Sequence, residues 1–224
     1  MAPTLAVTLA ARGAEAARRG NLDRALVEYT WAVRLDSRNA AAHVGRGDVC
    51  RLKHLLDCAL ADLTRAIQLD PRSAVAYNLR GLAHVTAGDY AQAVADHTRA
   101  IDLRPQPSFY ADRAVAYQLA GDYDRALADY DEMLRLDPAS AAAYINRGLL
   151  YAGRGDYDRA IADYTRAIQL DSKLSDAFLN RALAYRESGQ NTQAIQDLQT
   201  YLALEPNVPN RAQLEQQIIK LGGP

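Results

Sequence analysis

The sequence repeats itself with a period of about thirty-four residues. The register is marked by six arginines, at intervals of 34, 34, 33, 34 and 34 residues: Arg12, Arg46, Arg80, Arg113, Arg147 and Arg181. An alanine occupies one further position of every copy: Ala25, Ala59, Ala93, Ala126, Ala160 and Ala194. A fixed period of this length predicts a stack of small helical units, each contacting its neighbours, in place of one central core.

Six copies fill most of the 224 residues: 6–39, 40–73, 74–106, 107–140, 141–174 and 175–208. The one interval of 33 residues falls at the proline-containing segment 104–107, where a deletion disturbs no helix. Residues 1–224 are therefore predicted to form a single array.

Each copy is predicted to contain two helices. In the fifth copy apolar residues recur at helical spacing over 141–154 and again over 158–170, and Gly155 and Asp156 separate the two runs. Glycine can take the left-handed conformation that ends a helix, and aspartate can accept hydrogen bonds from the free amides of the next one. His54 replaces this glycine in the second copy, which predicts a shifted or tighter helix boundary there.

Aromatic residues and small residues recur at fixed positions of the copies. One position of the second helix holds, in order, Tyr29, Leu63, His97, Tyr130, Tyr164 and Leu198, and a small-residue position of the first helix holds Gly13, Gly47, Gly81, Ala114, Gly148 and Ala182. With the arginine and alanine series, this pattern resembles the tetratricopeptide repeat family over residues 6–208. The resemblance implies an all-α superhelix, or solenoid, of six helix-turn-helix repeats.

Residues 210–221 are predicted to form a final capping helix. Leu214, Ile218 and Leu221 share one face of it, and Asn210 can cap its first turn. This helix is expected to cover the apolar side of the sixth copy, or alternatively to dock on another molecule.

The resemblance also implies a concave groove, lined by the first helix of each copy, that binds a peptide or a helical segment of a partner. The expected groove-lining residues are Asn78, Leu82, Val85, Ala111, Val115, Gln118, Ile145, Leu149, Leu179, Leu183 and Arg186. The floor is mainly apolar, which suits a segment with apolar anchors. The alternative is that neighbouring copies cover these side chains. Capture of a C-terminal carboxylate is not expected, because the required basic residues are missing.

Each arginine of the series is followed sixteen residues later by an acid: Glu28, Asp62, Asp96, Asp129, Asp163 and Asp197. The arginine lies on the first helix of a copy and the acid on the second. We therefore expect a ladder of interhelical arginine–carboxylate pairs, because the planar guanidinium can meet a carboxylate with two hydrogen bonds. Six copies of one arrangement indicate a scaffold; catalytic carboxylates would need to be paired in one pocket.

Charge and composition narrow the choice of partners. The net charge is −1 with no basic block, so nucleic acid and anionic membrane surfaces are not expected partners. No run approaches the roughly 18 apolar residues that span a bilayer, and no basic leader precedes the first repeat. A cytoplasmic location is therefore predicted. Cys50 and Cys58 are accordingly expected to be free thiols.

The sequence predicts no catalytic residues, no cofactor and no metal. Phosphate-loop and nucleophile-elbow motifs are missing, and the histidines and cysteines of the second and third copies occupy repeat positions without ligand spacing. The predicted function is a non-enzymatic protein-interaction scaffold. The alternative is a self-assembling module that forms homo-oligomers through the groove or the C-terminal helix.

Overall fold

The computed structural model describes residues 2–223, and every regular element in that range is an α-helix. The thirteen helices are α1 Ala2–Arg18, α2 Leu22–Leu35, α3 Ala40–Leu52, α4 Leu56–Leu69, α5 Ala74–Ala87, α6 Tyr90–Leu103, α7 Pro107–Leu119, α8 Tyr123–Leu136, α9 Ala141–Gly153, α10 Tyr157–Leu170, α11 Ser175–Glu187, α12 Asn191–Leu204 and α13 Arg211–Lys220. The all-α class predicted from the periodicity is confirmed.

A left-handed residue separates α3 from α4, as it does the helices of the other pairs. The glycines at this position have φ between 74° and 82°, and His54, in their place, has φ 58°. Because His54 adopts the same conformation, α4 starts at Leu56, in register with Leu22 and Tyr90 of α2 and α6. Helix α3 ends at Leu52 and α4 starts at Leu56, the same spacing as between Arg18 and Leu22, so the expectation of a shifted or tighter boundary was wrong.

Several helices begin with a side-chain cap. Asn21, Asn39, Ser73, Ser140 and Asp156 each accept a hydrogen bond from a backbone amide of the first turn.

Asn210 does not cap α13, which corrects the sequence-based expectation. Its backbone, at φ −96° and ψ 17°, is not in the extended conformation that aims a cap side chain at the helix. Its carbonyl oxygen instead accepts from the amides of Gln213 and Leu214, at 3.0 and 3.1 Å.

The chain divides into two compact units, and residues 1–126 form the first. In unit 1 the helices α1, α3, α5 and α7 lie side by side, while α2, α4 and α6 each contact the helices before and after them. Small residues fill the spaces between the layers, since Ala25, Ala59 and Ala93 are fully buried. This packing leaves one side of the α1, α3, α5 and α7 layer without a covering helix from unit 1.

Residues 127–224 form unit 2. Helix α10 contacts α9 and α11, α11 contacts α12, and α13 lies on α12. Leu214 and Ile218 of α13 are buried in a cluster with Leu198, Tyr201 and Leu202. The last helix therefore covers the apolar side of α12.

Two glycines mark where the first helix of a pair approaches the second most closely. A Cβ atom on Gly148 would lie 2.8 Å from the ring of Tyr164, and one on Gly81 would lie 2.7 Å from the ring of His97. Both contacts are shorter than van der Waals packing allows. The small residue of the first helix is thus required by the ring of the second.

Within residues 2–223, none of the helices combines the length and the apolar character needed to cross a lipid bilayer.

Candidate functional site

The predicted groove residues of unit 1 lie on α5 and α7 and differ in exposure. Asn78 is buried, whereas Leu82, Val85 and Ala111 are half-buried. On α7, Val115 is 40% exposed, Gln118 is also exposed, and Leu119 one turn beyond Val115 is 50% exposed. An apolar strip formed by Leu82, Val115 and Leu119 therefore remains open to a partner.

In unit 2 the predicted residues divide into packed and open ones. Ile145 packs against the buried Tyr164 and Ala184, and Leu179 packs against the cluster under α13. Leu149 is 45% exposed, and Leu183, at the same repeat position, is half-buried.

Arg186, the last groove residue predicted in unit 2, is half-buried and donates to the Glu187 carboxylate at 2.7 Å. The open apolar side chains of this face are therefore Leu149 and Leu183.

A chain of polar side chains joins α5, α6 and α7 in unit 1, with His97 and Asn78 buried and Asp112 half-buried. His97 Nδ1 is 2.8 Å from the Asn78 side-chain oxygen, and Asn78 Nδ2 is 2.8 Å from Asp112 Oδ2. The amide oxygen can only accept and the carboxylate only accepts, so His97 donates from Nδ1 and Asn78 donates to Asp112. His97 Nε2 then carries the lone pair, and it is buried without a described hydrogen-bond partner.

Burial shifts the pKa values of the two ionisable groups in this polar chain, His97 and Asp112, in opposite directions. Desolvation lowers the pKa of His97 to about 4, opposed by Asp96 and assisted by Arg113. Desolvation likewise raises the pKa of Asp112, while the Asn78 hydrogen bond and Arg51 lower it. The imidazole is therefore neutral near pH 7, and burial disfavours the charged form of the Asp112 carboxyl group.

The arginine ladder is present in both units. Arg46, Arg80, Arg147 and Arg181 each donate two hydrogen bonds, from Nε and Nη2, to the acid sixteen residues later, at 2.6 to 2.9 Å. These carboxylates are nearly inaccessible, with side-chain exposures of 6% to 8%. Arg12 meets Glu28 at 2.6 Å, but this arginine is 54% exposed.

The fourth member of the ladder, Arg113, donates to Thr98 Oγ1 at 2.9 Å and lies over the rings of Tyr110 and Tyr117. Its pairing with Asp129 stays a prediction.

The oxygens of the ladder carboxylates are occupied by hydrogen bonds between helices. Both oxygens of Asp163 bind Arg147, and those of Asp62 bind Arg46 and, through Oδ1, also His43 Nδ1 at 2.8 Å. Carboxylates held in this way have no free oxygen directed at a substrate. The pairs therefore serve to join helices.

The cysteines form a disulfide, so the expectation of free thiols was wrong. Cys50 lies in the last turn of α3 and Cys58 in the first turn of α4, and their Cα atoms are 5.9 Å apart. The tight turn at His54 brings the two helix ends together, which is within bonding reach for a disulfide. Free thiols were expected from the predicted compartment alone, whereas disulfide formation depends on the distance between the two helix ends.

This disulfide lies near Asp62, and one donor atom from each of the three residues falls within 4.8 Å of the others. Disulfide sulfurs are not thiolates, and thiolates are the form that binds metals. The Asp62 carboxylate is also occupied by Arg46 and His43. In this oxidised state the cluster does not offer a metal site.

The geometry defines a class of protein, namely an all-α repeat protein built from helix pairs in register. Tetratricopeptide repeat models match residues 11–57 and 53–108, and a second such model matches 113–179 and 156–218. The chain belongs to the tetratricopeptide repeat family. Proteins of this family are generally protein-interaction scaffolds.

Solved structures of other proteins share the fold. PilW, a type IV pilus biogenesis factor, has a TM-score of 0.84 at 16% identity, covering 94% of this chain and 98% of its own. PilF of Pseudomonas aeruginosa has a TM-score of 0.79 at 16% identity, covering 96% and 99%. YrrB, described as a protein with an unusual peptide-binding site, has a TM-score of 0.67 at 19% identity, covering 84% and 97%. No curated protein matches the chain by sequence.

Proposed function

We propose that the protein is a non-enzymatic scaffold that binds a peptide or helical segment of a partner on the face formed by the first helix of each repeat. The observation that carries the proposal is the repeated exposure of apolar side chains there. Val115 in unit 1 and Leu149 in unit 2 occupy the same repeat position and are 40% and 45% exposed. Single exposed apolar residues are ordinary, but exposure of an apolar side chain at the same repeat position in each unit favours a face that binds apolar anchors.

The open residues of each unit give the proposal its site. In unit 1 these are Leu82, Val115 and Gln118, with Val85 and Ala111 beside them; in unit 2 they are Leu149, Leu183 and Arg186. YrrB, with its peptide-binding site, supports the proposal by fold alone. The division into six repeats over residues 6–208 with a capping helix is part of the same proposal.

The test compares variants of the two faces with a matched outer-face variant. Leu82→Glu with Val115→Glu changes unit 1, and Leu149→Glu with Leu183→Glu changes unit 2. The control is Val27→Glu with Trp31→Glu, because these α2 side chains are 57% and 52% exposed on a second helix. Proteins captured from the native cell extract are quantified for each variant, after circular dichroism has verified its helicity.

We expect partners bound by the wild type and by the outer-face variant to be lost from at least one groove variant. Equal capture by all folded variants would refute the groove as the binding face. Loss with the outer-face variant alone would move the site to the second helices.

Self-association is the second candidate, and one observation favours it. Ile219 on α13 is 63% exposed, although Leu214 and Ile218 of the same helix are buried. A dimer through this face should dissociate in the Ile219→Glu variant, as measured by light scattering over a concentration series. A monomeric wild type would refute this candidate, and a dimer that only the groove variants dissociate would place assembly in the groove.

The cytoplasmic location also stays a proposal. The Cys50–Cys58 disulfide weighs against it, because such bonds persist mainly in oxidising compartments. Trapping of free thiols in the native cell, before lysis, decides the point: an unmodified pair would indicate an oxidising compartment.

A further inference from the structure

We propose that Asp112 is the anchor for a basic side chain of the partner, so that unit 1 selects segments in which a lysine or arginine lies between apolar residues. This inference rests on the proposed function, because it names the chemistry of the ligand at that same face. Three features of Asp112 support it: its position, its fixed carboxylate and the absence of a paired cation among the residues that the structure describes.

The position places Asp112 among the open apolar residues of unit 1. On α7 it precedes Val115 by three residues, and on α5 its partner Asn78 precedes Leu82 by four, so both pairs share a helix face. The hydrogen bond between Asn78 and Asp112 joins these two faces at 2.8 Å. The carboxylate is thus next to the apolar strip and not at a distant edge.

The Asp112 carboxylate is held in place by a hydrogen bond from a buried side chain. Asn78 donates to Asp112 Oδ2, and Asn78 is itself fixed because its oxygen accepts from the buried His97. An acceptor positioned by packed neighbours loses little side-chain entropy on binding, which favours affinity. Asp112 Oδ1 makes no hydrogen bond with any residue in the described range and can receive a donor from a ligand.

The charge of Asp112 is not neutralised locally. Among the described residues, no lysine or arginine nitrogen lies within 4.0 Å of its carboxylate. Arg51 acts on it only at longer range, since its guanidinium donates to Asp48 at 2.7 and 3.0 Å. By contrast, four ladder acids are each bound by their own arginine, namely Asp62, Asp96, Asp163 and Asp197. Burial also raises the pKa of Asp112, which a bound cation would offset.

These features favour a cationic ligand group over the alternatives. A peptide carboxylate would be repelled, and a purely apolar segment would leave a desolvated charge without a partner. A single basic residue flanked by apolar residues satisfies both the carboxylate and the strip of Leu82, Val115 and Leu119. Such a segment is a partner of defined chemistry.

The test uses a phage-displayed library of random 12-residue peptides, selected on the full chain. The variants are Asp112→Asn, Leu82→Glu and Asp102→Asn, the last being a charge-matched control because Asp102 is exposed on α6. A synthetic copy of one selected peptide, and a second copy with its basic residue replaced by norleucine, are then titrated against each protein.

We expect wild-type selection to enrich peptides with a basic residue between apolar ones. Asp112→Asn should weaken the basic peptide by about tenfold or more, as for a hydrogen bond between charged groups, and Asp102→Asn should leave it within about twofold. Replacing the basic residue of the peptide by norleucine should weaken its binding to the wild type by a similar factor. The same replacement should weaken its binding to the Asp112→Asn protein by much less.

The two proposals fail in different ways. If apolar peptides are enriched without a basic residue, or if Asp112→Asn binds the basic peptide as tightly as wild type, the role of Asp112 is refuted while the groove stands. If no peptide is retained by wild type better than by folded Leu82→Glu, the groove proposal is refuted, and the role of Asp112 with it.

Discussion

The buried imidazole of His97 should make the stability of unit 1 fall in mild acid. Its pKa is lowered from 6.5 to about 4 because its side chain is fully buried. The imidazole of the unfolded chain is therefore protonated below about pH 6.5, whereas the imidazole of the folded protein is protonated only below about pH 4. Stability is lost across this window and changes no further below it.

The magnitude follows from the same two values. A pKa lowered from 6.5 to about 4 corresponds to about 3 kcal/mol, at ~1.4 kcal/mol for each tenfold change in proton affinity. About 2 kcal/mol of this loss should already be present at pH 5, where the unfolded imidazole is charged and the folded one is neutral.

The assay is urea unfolding followed by circular dichroism from pH 7.5 to pH 4, on wild type and on His97→Tyr. Tyrosine is a suitable replacement because Tyr164 occupies the same position under Gly148 and is also buried. The variant keeps the charged groups that act on His97, namely Asp96 and Arg113, so the difference between the two proteins isolates the imidazole.

The wild type should lose about 2 kcal/mol more than His97→Tyr between pH 7.5 and pH 5. Parallel pH profiles would refute the reasoning, because they would mean that His97 is protonated in the fold or reached by water. A local loss confined to unit 1 would appear as amide exchange at α5 and α6 before the rest of the chain.

Three further predictions use the same urea assay at neutral pH. Asp163→Asn should lower the free energy of unfolding by about 2–3 kcal/mol, because the partly buried guanidinium of Arg147 then has one hydrogen bond fewer. Glu215→Gln, in an exposed pair with Arg211, should lower it by less than ~0.5 kcal/mol. Equal effects would contradict a structural role for the ladder. Gly148→Ala should lower the free energy of unfolding by about 1–3 kcal/mol, because the added methyl group meets the ring of Tyr164. Gly153→Ala, where no atom lies near the added methyl group, should be neutral or stabilise the protein by up to ~1 kcal/mol. A neutral Gly148→Ala variant would contradict the close approach of the two helices. His54→Gly should stabilise by about 1 kcal/mol because it removes a left-handed non-glycine residue, and destabilisation would indicate a contact of this imidazole that matters more.

The repeat pattern was sufficient to predict the helices and the ladder. Both follow from positions that every copy shares, so a residue such as Arg147 could be paired with Asp163 by counting sixteen residues along the chain. The same counting placed a turn at His54, but it could not predict that histidine would adopt the glycine conformation. Sequence periodicity therefore predicts what the copies have in common.

Contacts that occur in only one copy could not be predicted in this way. The chain from His97 through Asn78 to Asp112 joins three helices, and no other described copy has its three side chains in the same positions. The Cys50–Cys58 disulfide depends on the distance between two helix ends, which the sequence does not state. Two signals in the sequence indicated that something differed there: the polar Asn78 at a groove position, and His97 at a position that holds tyrosine or leucine in the other copies.

The difference between the two kinds of carboxylate explains where specificity can reside in such a chain. Asp163 is repeated in the other copies, is bound by its arginine through both oxygens, and stabilises the scaffold. Asp112 is particular to one copy, is held by a neutral amide, and lacks a cation of its own among the described residues. Because a repeated fold presents the same scaffold to every partner, discrimination between apolar-anchored partners requires residues that break the repeat. On this argument, adding an arginine beside Asp112 by Val115→Arg should neutralise the carboxylate and abolish the preference for basic peptides without reducing helicity.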